Sequence, residues 1–435
     1  MASQQAGSAD AADDIIDIKP ILGRLWPLPE AGTPLAEDIA DAVALFFTNR
    51  VSDVQAGSLL MCLHFTGLDR QADVMAACAD RMRKAAARVD PAPLLKIAAE
   101  KSLKRGKYNG GLCDIVGTGG DSHNTFNVST ASSIVASAYL RMAKHGNRAS
   151  TSKSGSADLL ANLKHPGDIE NESTDLVANL NYIEPATLPS IYATTNYAFL
   201  FAPVFHPGMR YVAPIRKQLP WRTLFNLLGP LASPVDVRDT PESESPLETR
   251  IIGVARRELG PVFAEALRMT GARKAMVVCG AEELDEISIA GPTFCWYLHE
   301  DTTGSDVVID HFQLTPADFG VAACPLSDVS PGKSPAENAA TMTSILQNQR
   351  PADDPLLAFV LINTAALMVV AGLAEPADSS ALPEDPEVVT ERGPGGLCWK
   401  EGVRLARLAV SSGEARRQWK LFVEATNQIK PSSSV

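Results

Sequence analysis

The sequence predicts an α/β protein in which a small helical lobe accompanies a large α/β lobe with a central, mainly parallel sheet. Three observations carry this. Residues 36–105 hold apolar side chains at three- and four-residue spacing with no strand texture. At Leu112 the pattern breaks into a short apolar run, a glycine loop, a small-residue helix and a second apolar run. Further short apolar runs then alternate with helical stretches, the sequence form of a parallel sheet.

In chain order, residues 1–35 read as an N-terminal tail, partly disordered, beginning "MASQQAGSADAADD", without the basic and apolar regions of a secretory signal. "LAEDIADAVALFFTN", "VQAGSLLMCLHFTG" and Asp69 to Ala87 give the helical lobe, bounded at 36–108. "LCDIV" is the first expected strand, "STASSIVASAYL" the helix behind it and "RMAK" the second strand. Residues 183–211 are proline-bearing and read as helix and turn, so about 185–215 is expected to return to the helical lobe. Residues 109–184 and 216–435 are assigned to the α/β domain, with strands at Arg250–Val254, Ala275–Cys279 and Thr293–His299. Residues 234–249 and 325–354 read as loops.

Leu356 to Ala374 is long enough to cross a bilayer. Its flanks are acidic, no aromatic belt adjoins it, and Asn363–Thr364 interrupt its centre, so a buried core helix and no membrane contact are expected. The formal charge of −12 argues against nucleic acid as a partner. Seven cysteines without a CxxC pair fit free thiols in a reducing compartment, hence the cytoplasm.

"CDIVGTGGDSHNTFNVST", Cys113 to Thr130, places three glycines between a strand and a helix. Glycines there bare the backbone N–H groups, and the helix start adds its own unpaired donors, a combination that favours an anion. The run is neither a Walker loop nor GxGxxG. Ser129 or Thr130 would satisfy an ordinary helix cap. Asn127, Ser129 and Thr130 together exceed that need and suit a pyrophosphate carrying Mg2+. A second cluster, Lys144 to Asp158, interleaves Lys144, His145, Arg148 and Lys153 with glycines and serines. That composition suits a polyanion better than a solvated face. His145 alone reads equally as a structural histidine, and Asp158 as a helix cap.

"GTGGD", "NVST", "KHGN" and "SGSAD", in this order and spacing, resemble the anthranilate phosphoribosyltransferases of tryptophan biosynthesis. The likeness continues through "FAPVFHPGMRYVAPIRKQL", "RTLFNLLGPLASP", "ELDEISI" and "WKEGVRLARLAVSSGEA", and covers about residues 36–425. The 234–249 and 325–354 segments depart from it and are expected to be surface elaborations.

The resemblance implies a nucleoside phosphorylase/phosphoribosyltransferase-like fold, a homodimer, and transfer of the phosphoribosyl group from phosphoribosyl pyrophosphate (PRPP) to the amine of anthranilate with Mg2+. It implies that Gly117, Gly120, Asp121, Thr125, Asn127, Val128, Ser129 and Thr130 hold PRPP. Lys144, His145, Gly146, Asn147, Arg148, Ala149, Ser150, Thr151, Ser152 and Ser156 would extend that site. Ser129 would contact one metal, and Asp285 with Glu286 would bind another. Gly117, Asn147 and Arg216 would address anthranilate, with Lys144, His145 and Arg216 as the catalytic set. An arylamine nitrogen is already neutral at pH 7, so a strong general base is unnecessary, and no base–nucleophile pair stands out. Rival readings are a pyrimidine nucleoside phosphorylase, which would not need the Asp285–Glu286 pair, and a non-catalytic nucleic-acid binder, which would want a basic surface.

Overall fold

The computed structural model describes residues 15–27, 30, 35–100, 103–123, 125–149, 154–163, 179–238, 240, 243–329, 334–375 and 388–429. The helical lobe is built from α1 (Lys19–Leu25), α2 (Ala36–Phe47), α3 (Asp53–Thr66) and α4 (Ala72–Lys84), followed by α5 (Pro91–Glu100). Helix α1 corrects the expected tail of residues 1–35, since Ile18, Ile21 and Leu25 are buried in the core of this lobe. Ile39, Val43, Phe46 and Phe47 of α2 pack against Val74, Met75, Cys78 and Met82 of α4, which is the expected periodicity turned into a core.

The second lobe runs β1 (Leu112–Gly117), α6 (Val128–Ala136), β2 (Arg141–Gly146), α7 (Ser156–Asn162), α8 (Leu188–Thr194), β3 (Tyr197–Phe201), α9 (Met209–Lys217) and β4 (Leu247–Gly253). It continues through α10 (Leu259–Met269), β5 (Lys274–Gly280), β6 (Thr293–Glu300), β7 (Val307–Leu314), α11 (Pro335–Leu346), α12 (Pro355–Ala371), α13 (Trp399–Ser411) and α14 (Glu414–Ile429). The seven strands lie in the order β3-β2-β1-β4-β5-β6-β7. The first five are parallel, and β6 and β7 run antiparallel to their neighbours. Alternation along the strands feeds two cores. Ile251, Met276 and Val278 face one side, while Ile252, Val254, Ala275 and Val277 face the side covered by α10 and the helical lobe.

Tyr197–Phe201 corrects the expectation for about 185–215. "YAFLF" is fully buried and pairs with β2, so this piece is the sheet edge and not a return to the helical lobe. Proline turns on both sides hide so short a strand in the sequence. Met209–Lys217 does pack on α2 and α3. Strand β7, unforeseen in the sequence, closes a hairpin on β6.

Helix α12 is buried over every residue from Leu356 to Ala371, between α6, α13 and the sheet. Among the described residues no helix is long and apolar enough to cross a membrane. The polar interruption has a purpose. Asn363 Oδ1 accepts the Ile287 N–H at 3.0 Å, and its Nδ2 donates to Ile287 O at 3.1 Å. A residue immediately after the Asp285–Glu286 pair is thus tied to the centre of the core.

The two presumed surface elaborations need correction as well. Within 325–354, α11 buries Ala339, Met342, Ile345 and Leu346 and packs on α7. At the start of 234–249, Asp236 is buried against Arg250, with Arg83 of α4 and Arg238 beside it.

Candidate active site

Strand β1 leads through α6 to β2 on one side, while β4 adjoins it on the other, so the loops leaving β1 and β4 diverge. In open α/β sheets ligands bind at such a switch point, beyond the strands' carboxyl ends. A cavity of about 530 Å3 lies there, within the usual range for small-molecule sites. Gly117, Gly120, Asp121, Thr125, Asn127, Ser129, Lys144, His145, Gly146, Asn147, Arg148, Ala149, Ser156, Asp285 and Glu286 all line it.

The glycine loop has a backbone that only glycine adopts freely. Gly119 has φ +65° and Gly120 φ +79°, both in the left-handed region. A side chain at Gly117 would place its Cβ 2.3 Å from Asp285 Oδ2. The loop is held from two sides. Asp285 Oδ2 accepts the Gly119 N–H at 2.6 Å, and Arg222 donates to Gly119 O at 2.6 Å and Thr118 O at 2.9 Å. Arg222 therefore orients the Thr118–Gly119 and Gly119–Gly120 peptide groups, the first of which already gives its N–H to Asp285. The sequence reading missed it, although it opens the "RTLFNLLGPLASP" stretch.

The second wall comes from the β2–α7 turn. Asp158 caps α7 by accepting the Ala149 and Gly155 N–H groups at 2.8 and 3.0 Å, the ordinary role foreseen for it. Thr130 Oγ1 donates to Ser156 Oγ at 2.8 Å, and Asn127 Nδ2 donates to Ser154 O at 2.7 Å, so the two loops are cross-tied. Neither Val128 nor Thr130 lines the cavity. Val128 is core, and Thr130 is buried behind the first turn of α6. Ser129 faces the cavity and does not cap α6, whose N-cap is Asn127. Ser150, Thr151 and Ser152 lie outside the described residues.

Buried charge concentrates on one side. Burial, reinforced by Asp121, pushes Asp285 up to about 7, and burial with Asp285 pushes Glu286 well above the carboxylate range. Lys144, also buried, has its pKa lowered by burial, while Asp114 and Glu286 oppose that shift. These carboxylates lack enough positive charge around them. Among the described residues no three His, Cys, Asp or Glu side chains converge to hold a metal by themselves. Oxygen donors from one or two carboxylates and a hydroxyl fit Mg2+, which takes the rest of its shell from water and phosphate. Asp285, Glu286 and Ser129 fit that need.

The His145 and His206 rings lie tilted against each other with centroids 5.1 Å apart, and each Nε2 is buried without a partner. Burial lowers both, His206 to about 4, so both rings are neutral at pH 7. Arg216 does not line the cavity. It sits in the last turn of α9, half-buried, and burial together with the nearby Arg222 charge lowers its pKa. No carboxylate among the described residues compensates it. A guanidinium left in that state is suited to a carboxylate brought by a ligand.

A glycine-loop anion cradle at the sheet switch point, with unneutralised carboxylates beside it, has the chemistry suited to group transfer from a phosphorylated, metal-bound substrate. The sequence matches the helical bundle domain of the glycosyl transferase family over residues 30–86 and the a/b domain of that family over residues 109–416. An anthranilate phosphoribosyltransferase of Schizosaccharomyces pombe is 38% identical over 393 residues, spanning 90% of this chain and 93% of its own. The Saccharomyces cerevisiae enzyme of that name in complex with PRPP and Mg superposes with a TM-score of 0.70 at 29% identity, covering 90% of this chain and 93% of its own. The same enzyme in complex with 4-fluoroanthranilate gives 0.68 at 28% identity over the same shares. The chain belongs to the anthranilate phosphoribosyltransferase family.

Proposed function

We infer that the chain transfers the 5-phosphoribosyl group of PRPP to the amine of anthranilate, giving N-(5-phosphoribosyl)anthranilate and pyrophosphate in tryptophan biosynthesis. The observation that carries this is the convergence on one cavity of the positive-φ glycine loop, the first turn of α6 and the buried Asp285–Glu286 pair.

In this reading the N–H groups around Gly117 and Gly120, with Asp121, Thr125 and Asn127 to Thr130, hold PRPP. Lys144 to Ala149 and Ser156 line the rest of its site, and Ser150, Thr151 and Ser152 keep the PRPP role that the family resemblance implies. Val128 and Thr130 act through main chain and position, since their side chains face inward. Mg2+, held by Ser129 and by Asp285 with Glu286, supplies charge neutralisation for the departing pyrophosphate. Lys144 adds a fixed positive charge beside the same group. Arg216 receives the anthranilate carboxylate, Asn147 and Gly117 bracket the ring, and neutral His145 gives the amine a non-acidic neighbour. Catalysis then rests on positioning and electrostatics and requires no protein base.

The two lobes divide the work. Residues 109–184 and 216–435 carry the cradle, and α1 to α4 form the helical lobe, with α9 and Arg216 at the seam. On α3, Val54, Met61 and Phe65 are 79%, 43% and 64% exposed along one face. That apolar stripe supports a homodimer formed through α3. Seven unpaired thiols support a reducing, cytoplasmic setting.

The test mixes purified chain, PRPP, Mg2+ and anthranilate and follows loss of anthranilate fluorescence, beside a uridine phosphorolysis assay. Fluorescence loss dependent on PRPP is expected. Phosphorolysis of uridine without it would replace this reading with that of a nucleoside phosphorylase.

A further inference from the structure

We infer that Asn338, on α11, is a positioning residue for the phosphate cradle, and that the 325–354 connection exists in part to deliver it. This rests on the reading of the cavity as the PRPP site. Asn338 is 3% exposed, and its Nδ2 donates to Asn127 Oδ1 at 3.2 Å. Asn127 Nδ2 in turn donates to Ser154 O at 2.7 Å. The Asn127 amide is thereby fixed at both ends. Its oxygen has a donor and its nitrogen an acceptor, so a flip of the amide would break both bonds.

The consequence is geometric. Asn127 belongs to the loop after β1 and Ser154 to the loop after β2, so this one side chain sets the spacing of the two walls that face the cavity. Asn338 decides which way that side chain points. Other contacts from the same connection bear on the same loops. The Val329 carbonyl accepts the Phe126 N–H at 3.3 Å, and α11 packs along α7, whose first residue lines the cavity. Helix α11 is itself started by a capping box between Ser334 and Glu337, which fixes its register one residue before Asn338.

Asn338 Oδ1 is buried and has no hydrogen-bond partner. An unpaired buried acceptor is a cost that a residue kept for packing alone would avoid. A leucine would fill similar space without that cost but could not donate to Asn127. The donor is what the position requires.

Asn338→Asp tests this, because a carboxylate keeps the shape and cannot donate to Asn127. The KM for PRPP should rise about ten- to thirtyfold, the loss expected for one buried hydrogen bond, while the anthranilate KM stays within about twofold. Asn338→Ala supplies the second variant if the aspartate fails to fold. A double-mutant cycle with Asn127→Ala separates positioning from support of the fold. Once Asn127 is truncated, Asn338→Ala should add almost nothing to the PRPP KM. An unchanged PRPP KM in folded single variants, or fully additive effects in the cycle, would overturn the inference. Wild-type protein that shows no PRPP binding would instead overturn the reading of the cavity.

Discussion

Gly120→Ala should cripple PRPP binding, and Gly119→Ala shows why. Both glycines sit at positive φ, so an alanine at either costs about 1–2 kcal/mol of backbone strain. Around Gly119 the space is open, with nothing within 4 Å of where an added methyl group would stand. At Gly120 the added Cβ would lie 1.3 Å from Arg222 Nη1 and 2.5 Å from its Cζ. The guanidinium must leave, and its hydrogen bonds to Gly119 O and Thr118 O go with it. Arg222 is solvent-facing, so about 1 kcal/mol for each bond is a fair value. Gly119→Ala should therefore weaken PRPP about five- to thirtyfold, and Gly120→Ala more than about a hundredfold. Thermal melts with and without PRPP and Mg2+, followed by calorimetric titration, measure both. Equal effects of the two alanines would refute the role given to Arg222. Undiminished PRPP stabilisation of the Gly120 variant would remove the glycine loop from the site.

Three further outcomes are expected. Asp285→Ala with Glu286→Ala should raise the Mg2+ concentration needed for half-maximal rate and lower turnover. Because a raised carboxyl pKa means stability lost as pH climbs through about 7, the metal-free variant should melt no lower than wild type at pH 8. Arg216→Lys should raise the anthranilate KM about ten- to a hundredfold and leave the PRPP constant nearly unchanged, since an ammonium cannot copy a two-pronged carboxylate pair. His206, held near 4, stays neutral in the fold while the unfolded chain takes up a proton below about 6.5. Stability should fall between those pH values by up to about 3 kcal/mol on its account, and His206→Asn should flatten that acid limb in denaturant titrations, leaving the share due to His145.

Much of this site could be read from the chain because its chemistry constrains residue type locally. A left-handed turn against an anion calls for glycine, so Gly119 and Gly120 announce themselves, and the hydroxyls of the next helix follow closely in the chain. Helix α12 was legible as buried because Asn363 would be misplaced in lipid, although its bond to Ile287 was not. Arg222 escaped because its targets are main-chain carbonyls, and a carbonyl leaves no mark on the sequence. Asn338 escaped because its partner is 211 residues away. The strand at Tyr197–Phe201 was hidden between prolines, since five apolar residues serve a helix or a buried strand equally well. Arg216 was singled out by motif alone. Its place outside the phosphate cavity, with no carboxylate to answer it, could be seen only in three dimensions.

On the proposed function, the cavity at the end of β1 parts pyrophosphate from PRPP only as anthranilate captures the sugar. The most direct measurement follows pyrophosphate release and anthranilate consumption together in one reaction containing PRPP and Mg2+. One pyrophosphate per anthranilate consumed, with almost none released when anthranilate is omitted, is the predicted result. Pyrophosphate released at the same rate without anthranilate would make the chain a PRPP hydrolase and contradict the account.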